Sequence, residues 1–76
     1  MFDKNSKQAR REIEALFNDI QINLENNYKD LAIKARKDAE LKLTELKEKG
    51  ELKDKDYGKL KARLDDFTKR MEGYHH

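Results

Sequence analysis

Apolar side chains recur at every third or fourth position through most of this chain, and this spacing restricts its fold more than any other feature. One stripe runs from Ala9 to Leu46, and a second runs from Tyr57 to Tyr74. Steps of three and four place side chains on one face of an α-helix. Because the chain has no Pro and only three Gly to interrupt its helices, the pattern predicts an all-α fold.

The composition agrees with a small helical domain and excludes several other classes. The 76 residues contain 18 Lys and Arg against 16 Asp and Glu, and the β-branched residues are limited to four Ile and two Thr. Strands favour β-branched side chains, so a sheet is disfavoured. The longest run without a charge is 20–24, which is too short for a membrane span or a secretory signal. We expect one cytoplasmic domain that does not enter a membrane.

The first stripe crosses Asn26 and Asn27 without a Gly or Pro, so two interpretations remain open. Either two helices span about 6–25 and 27–49, with Asn27 as the N-cap of the second, or one continuous helix covers both. A continuous helix of about 44 residues would be ~66 Å long. That length is too great for a compact monomer of this size, and it would need a second chain.

Gly50 predicts the end of the second helix, because Gly enters the left-handed conformation that often follows a helix C-terminus. A third helix over about 55–73, capped by Asp54 or Asp56, should then return antiparallel to the second after a short connection. The predicted seam of this helical hairpin consists of Leu31, Ala35, Ala39, Leu43 and Leu46 on one side and Leu60, Leu64, Phe67 and Met71 on the other. Its heptad spacing is typical of coiled-coil packing.

A pattern of Leu and Gly spans this predicted turn: Leu43-x-x-Leu46-x-x-x-Gly50-x-Leu52, followed by Asp56-Tyr57 and Leu64. Over residues 43–67 the chain resembles the SHOCT (short C-terminal) domain, which has Leu-x-x-Leu, Gly, Ile or Leu, Glu-Phe and Leu in this order. It departs from the family at Lys53, where a Thr or Ser cap is usual. The resemblance implies a small helical interaction or oligomerisation module, with no catalytic residues to carry over.

The residue types needed for catalysis or for metal binding are missing or badly spaced. There is no Cys and one Ser, and we find no nucleophile–base pair, phosphate loop or metal cluster. A calcium loop that started at Asp54 would need Gly at its sixth position, whereas Gly58 is the fifth. His75 and His76 end the chain without further ligands nearby, as a frayed tail or an artificial addition would. We therefore expect no enzyme activity, no cofactor and no metal.

The apolar stripe of the first helix leads to the main functional hypothesis, a non-enzymatic protein that binds itself or a protein partner. A hairpin of the second and third helices covers only half of the stripe, so we expect a second chain to cover the rest as a homodimer. The predicted interaction face comprises Ile13, Leu16, Phe17, Ile20 and Leu24. A monomeric three-helix bundle, folded back at Asn26, is the alternative.

Two other functions stay open. The chain resembles in size and charge the small inhibitors or regulators of larger proteins that phages and mobile elements encode. A cluster of basic residues could also bind nucleic acid weakly through phosphates. That cluster consists of Lys53, Lys55, Lys59, Lys61 and Arg63. Ile22, Ile33 and Leu41 lie off the stripe, which indicates either a second packing face or a break in the helix.

Overall fold

The computed structural model describes residues 2–72, and it describes the side chains of residues 7–71. These described residues fold into three helices, α1 (Phe2–Glu25), α2 (Lys29–Glu48) and α3 (Asp54–Glu72). The all-α prediction is confirmed, and the arrangement is the three-helix bundle. The molecule is 46 Å long and 17 by 15 Å across, with a radius of gyration of 12.9 Å.

Polar contacts between helices establish their directions. Arg36 of α2 donates to Thr68 of α3, and Glu40 of α2 lies near Lys61 of α3. From the first pair to the second, the residue number rises in α2 and falls in α3, so these two helices are antiparallel, as predicted. The helices α1 and α2 form the most extensive contact, and α3 packs mainly against α2.

The core draws apolar side chains from all three helices and from the second turn. Its α2 portion consists of Ala32 and Ala39, followed towards the end of the helix by Leu43 and Leu46. Small side chains let neighbouring helices approach closely while the interior stays filled. The buried residues are Ala9, Ile13, Phe17, Ile20, Ala32, Ala39, Leu43, Leu46, Leu52, Leu60, Leu64, Phe67 and Met71.

The first turn breaks the apolar stripe, so the interpretation as one continuous helix is wrong. Asn27 has a positive φ of 59°, and its N–H donates to the Leu24 carbonyl while the Tyr28 N–H donates to the Asn23 carbonyl. This pair of bonds is the Schellman motif, which ends a helix through one left-handed residue. Asn27 therefore terminates α1 and does not cap α2. Tyr28 holds the N-cap position of α2 and makes no side-chain capping bond.

The second turn repeats the motif with Gly50 as its left-handed residue, at φ 76°. The Gly50 N–H donates to the Lys47 carbonyl, and the Glu51 N–H donates to the Leu46 carbonyl. The prediction for Gly50 is confirmed. Leu52, two residues later, is buried in the core, so the chain is anchored before α3 begins.

The predicted seam contains one wrong residue. Leu31 is 54% exposed, and its neighbour Ala32 is fully buried. The prediction carried a constant rotation of 100° per residue across Asn27, whereas the left-handed residue there changes the direction of the chain. The other predicted seam residues are buried or, in the case of Ala35, packed against the core.

The helix bounds differ from those predicted at several ends. α1 begins at Phe2, four residues before the predicted start, and α3 begins at Asp54. Asp54 and Asp56 are therefore in the first turn of α3 and do not cap it. The end of the predicted third helix at residue 73, the last residue of the second apolar stripe, Tyr74, and the terminal His75 and His76 lie outside the described residues.

Candidate interaction surfaces

The face predicted to bind a second chain is covered by this chain itself. Ile13, Phe17 and Ile20 are at most 1% exposed, and Leu16 and Leu24 are partly buried against the same core. The break at the first turn folds α2 back along α1 and buries this face. The argument for a homodimer through these residues therefore loses its basis, because no bare stripe remains to be covered.

The contact between α1 and α3 is a tilted pair of aromatic rings. The centroids of Phe17 and Phe67 are 5.6 Å apart, with an angle of 53° between the rings. The guanidinium of Arg63 lies 4.7 Å from the centre of the Phe17 ring and pairs with Glu14 of α1. A cation over a ring face is attracted by its quadrupole, so Arg63 covers the pair and links the two helices.

Arg70, seven residues after Arg63, also lies over an aromatic ring and links α3 to α1. Its guanidinium lies 5.4 Å from the centre of the Phe67 ring, donates to the side-chain Oε1 of Gln21 at 2.9 Å and pairs with Asp66. A groove of about 410 Å³ is lined by these side chains, by Ala62 and by Arg63. Each arginine that lines the groove already has an acidic partner within the chain. The groove therefore offers an anionic ligand no uncompensated cation.

An ion-pair network joins α1 to α2 at the end remote from the first turn. The Lys42 ammonium is 3.0 Å from a Glu12 carboxylate oxygen and 3.3 Å from one of Glu45. Hydrogen bonds to Glu12 and then to Glu45 raise the pKa of Lys42 above 10.5. The bond from Lys42, with help from Lys49, lowers the pKa of Glu45 below 4.5. The network is exposed, so its effect is screened by salt.

The predicted basic cluster is not assembled as one free patch. Lys61 pairs with Asp65 of its own helix and lies 4.0 Å from Glu40, and Arg63 pairs with Glu14. Lys53, Lys55 and Lys59 are exposed at the start of α3 and just before it. Nucleic-acid binders concentrate positive charge on one face, and here acids interrupt the cluster.

Among residues 7–71, five large apolar side chains lie on the outside of the molecule. They are Ile22, Tyr28, Leu31, Ile33 and Leu41, with exposures between 40% and 60%. All five belong to α1, the first turn or α2, and none belongs to the described part of α3. The sequence indicated three of them, because Ile22, Ile33 and Leu41 lie off the stripe. Tyr28 and Leu31 were missed, since both were counted on the stripe.

The side chains described for residues 7–71 form no group of three or more potential metal ligands. None of their buried polar atoms lacks a hydrogen-bond partner. Asp54, Asp56 and Gly58, whose spacing does not fit a calcium loop, lie at the start of α3 as helical residues. Within residues 2–72, no helix combines the length and the apolar character that crossing a membrane requires.

No family model matches the sequence, and no curated protein or solved structure matches it.

Proposed function

We propose that this protein is a non-enzymatic interaction module that binds another protein surface through the side formed by α1 and α2. The observation that carries the proposal is the uneven distribution of the large exposed apolar side chains, all of which, among the described residues, belong to α1, the first turn or α2. Single exposed apolar residues are ordinary on a protein surface. Five of them on one helical hairpin, beside a third helix that shows none in its described part, concentrate the exposed apolar surface on α1 and α2. Exposed apolar surface of this kind is what a protein partner buries.

These side chains are not needed to complete the fold. The core already contains thirteen buried apolar residues from the described part of the chain, drawn from all three helices and the second turn. Leu41 is 60% exposed and lies on the opposite side of α2 from the buried Leu43 and Ala39. A solvent-facing Leu in a chain with 45% charged residues contributes little to the stability of the monomer. Burial against a partner would give it a role.

The partner class we infer is a helical protein surface, including a second copy of this chain. Leu and Ile at helical spacing fit the grooves between side chains of another helix. The resemblance of residues 43–67 to the SHOCT domain supports the same class of function, an interaction or oligomerisation module. We keep the homodimer as part of the proposal, but through a face other than the one predicted from the sequence.

A pair of matched surface variants tests the proposal. Leu31→Glu combined with Leu41→Glu places two carboxylates on the proposed side, and Ala62→Glu places one on the exposed side of α3. We expect the first variant to lose bound proteins when immobilised copies are incubated with native lysate, and to lose any self-association that uses α2 in sedimentation equilibrium. Ala62→Glu should behave as the unmodified chain does. Equal behaviour of all three proteins would contradict the proposal, provided that circular dichroism shows them folded.

A further inference from the structure

The solvent face of α1 carries a second seam that the core does not use. Its members are separated by steps of four, three, four and three residues, and all of them are exposed. This heptad spacing is the one that packs two helices side by side. The outer seam consists of Arg11, Ala15, Asn18, Ile22 and Glu25.

The two ends of the outer seam carry opposite charges that no ion pair among the side chains of residues 7–71 compensates. Arg11 makes no ion pair with another described side chain, and the sequence has no further cation until Lys29. Glu25 accepts a hydrogen bond from Gln21 at 2.9 Å but has no ion pair among the described residues. The last turn of α1 also lacks a basic residue. A carboxylate at a helix C-terminus is unfavourable, because the macrodipole is negative there.

We propose that two copies of this chain pair through the outer seam, with their α1 helices antiparallel about a two-fold axis at Asn18. This inference rests on the proposed function and identifies one partner and one orientation for it. Arg11 and Glu25 are each seven residues from Asn18. An antiparallel pairing therefore places each Arg11 opposite the Glu25 of the other copy, next to the negative end of its helix. A parallel pairing would place like charges together.

The uncharged middle of the outer seam suits the same arrangement. Ile22 is 44% exposed, and in the antiparallel pairing it lies within one residue of the position opposite the small side chain of Ala15 on the other copy. A single Asn on such a seam favours the register in which it meets the Asn18 of the other copy. The contact is one helix wide and is expected to bury less than about 1,200 Å². Interfaces of that size are transient, so the pairing should depend on concentration.

Complementary charge variants test the orientation directly. Arg11→Glu leaves only acids at both ends of the outer seam, and Glu25→Arg leaves only bases. We expect each variant alone to associate about tenfold more weakly than the original chain, whereas an equimolar mixture should form heterodimers with restored affinity. Glu25→Arg should also stabilise the monomer slightly, so unfolding would not explain its weaker association. Sedimentation equilibrium at low salt gives the three association constants.

A cysteine scan provides an independent measurement, because the native chain has no Cys. Asn18→Cys should form a disulfide-linked dimer on mild oxidation, and Ala62→Cys, on the exposed side of α3, should form far less. Failure of the charge mixture to associate, or equal cross-linking at both positions, would overturn the pairing. If the original chain self-associates and the double variant Leu31→Glu, Leu41→Glu abolishes this association, the proposed function is supported and the pairing through the outer seam is wrong. If none of the variants changes self-association, the proposed function and the pairing are both wrong.

Discussion

The two turns of this bundle have the same backbone geometry and different sequences. In each, one left-handed residue follows the helix, and two backbone bonds close the Schellman motif. The second turn uses Gly50, which adopts positive φ without a steric penalty. The first uses Asn27, which adopts the left-handed conformation more easily than most residues with a side chain. The comparison shows that a helix can end sharply where the sequence contains neither Gly nor Pro.

The turns differ more in the residues immediately after them. After Gly50 the chain inserts Leu52 into the core, where it is 5% exposed. After Asn27 the next residue, Tyr28, is 56% exposed and caps nothing with its side chain. The second turn is therefore fixed by packing as well as by backbone bonds. The first depends on its backbone bonds and on the long contact between α1 and α2.

The largest effect is expected where α3 packs on the core beyond the second turn. Leu64 is fully buried, so Leu64→Ala should lower the free energy of unfolding by about 2–5 kcal/mol through lost burial and a residual cavity. Leu41→Ala, at an exposed position, should change it by about 0.5 kcal/mol or less. Urea unfolding monitored by circular dichroism measures both. An unchanged midpoint for Leu64→Ala would show that α3 does not pack on the core through this residue.

The next largest effect compares the apolar residues that come after each turn. Leu52→Ala should cost about 2 kcal/mol, the lower part of the range for a buried Leu, because the residue lies at the end of the core. Tyr28→Ala should cost about 0.5 kcal/mol or less. Thermal unfolding of the two variants under the same buffer conditions gives the stability loss of each, and the two losses can then be compared. Similar losses for both would mean that the two turns are anchored alike.

Substitution of the left-handed residues tests the comparison at the backbone. Gly50→Ala should destabilise the fold by about 1 kcal/mol. A Cβ at this position would meet nothing within 4 Å, so the cost comes from the positive φ alone. Asn27→Gly should be neutral or stabilise by a few tenths of a kcal/mol (~0.3), because Gly pays no such cost. Calorimetric melting of both variants measures these changes in stability. A strong loss of stability in Asn27→Gly would point to a role for the Asn side chain.

The smallest effect concerns the ion pairs that hold α1 to α2 far from the first turn. Lys42→Met removes the bonds to Glu12 and Glu45, so we expect a small, salt-sensitive loss of stability at neutral pH. The folded state raises the pKa of Lys42, so its contribution is present below pH 10.5 and is lost as the pH rises above this value. The difference in unfolding free energy between Lys42→Met and the original chain should therefore shrink above this pH. A difference that persists at high pH would assign the effect to packing of the Lys stem.

The same difference between the turns explains how far the sequence could predict the fold. Periodicity identified the helical class and nearly every core position, since each helix keeps its own phase. Gly50 marked its turn because only Gly makes positive φ easy. Asn27 gave no comparable signal, since Asn serves both as a helix N-cap and as a left-handed residue. This one ambiguity caused three errors in the prediction: Leu31 was placed in the seam, the exposure of Tyr28 was missed, and the apolar face of α1 was expected to be uncovered.

The elongated shape of the bundle affects how its assembly can be observed. A particle 46 Å long and about a third as wide meets more friction in water than a sphere of 9.1 kDa. On a gel-filtration column the monomer should therefore elute early, as a larger compact protein does. Two such rods lying side by side would have more equal axes than either rod alone, so pairing would change the elution position less than it changes the mass. Light scattering, which measures mass without reference to shape, is for that reason the better measure of self-association for this protein.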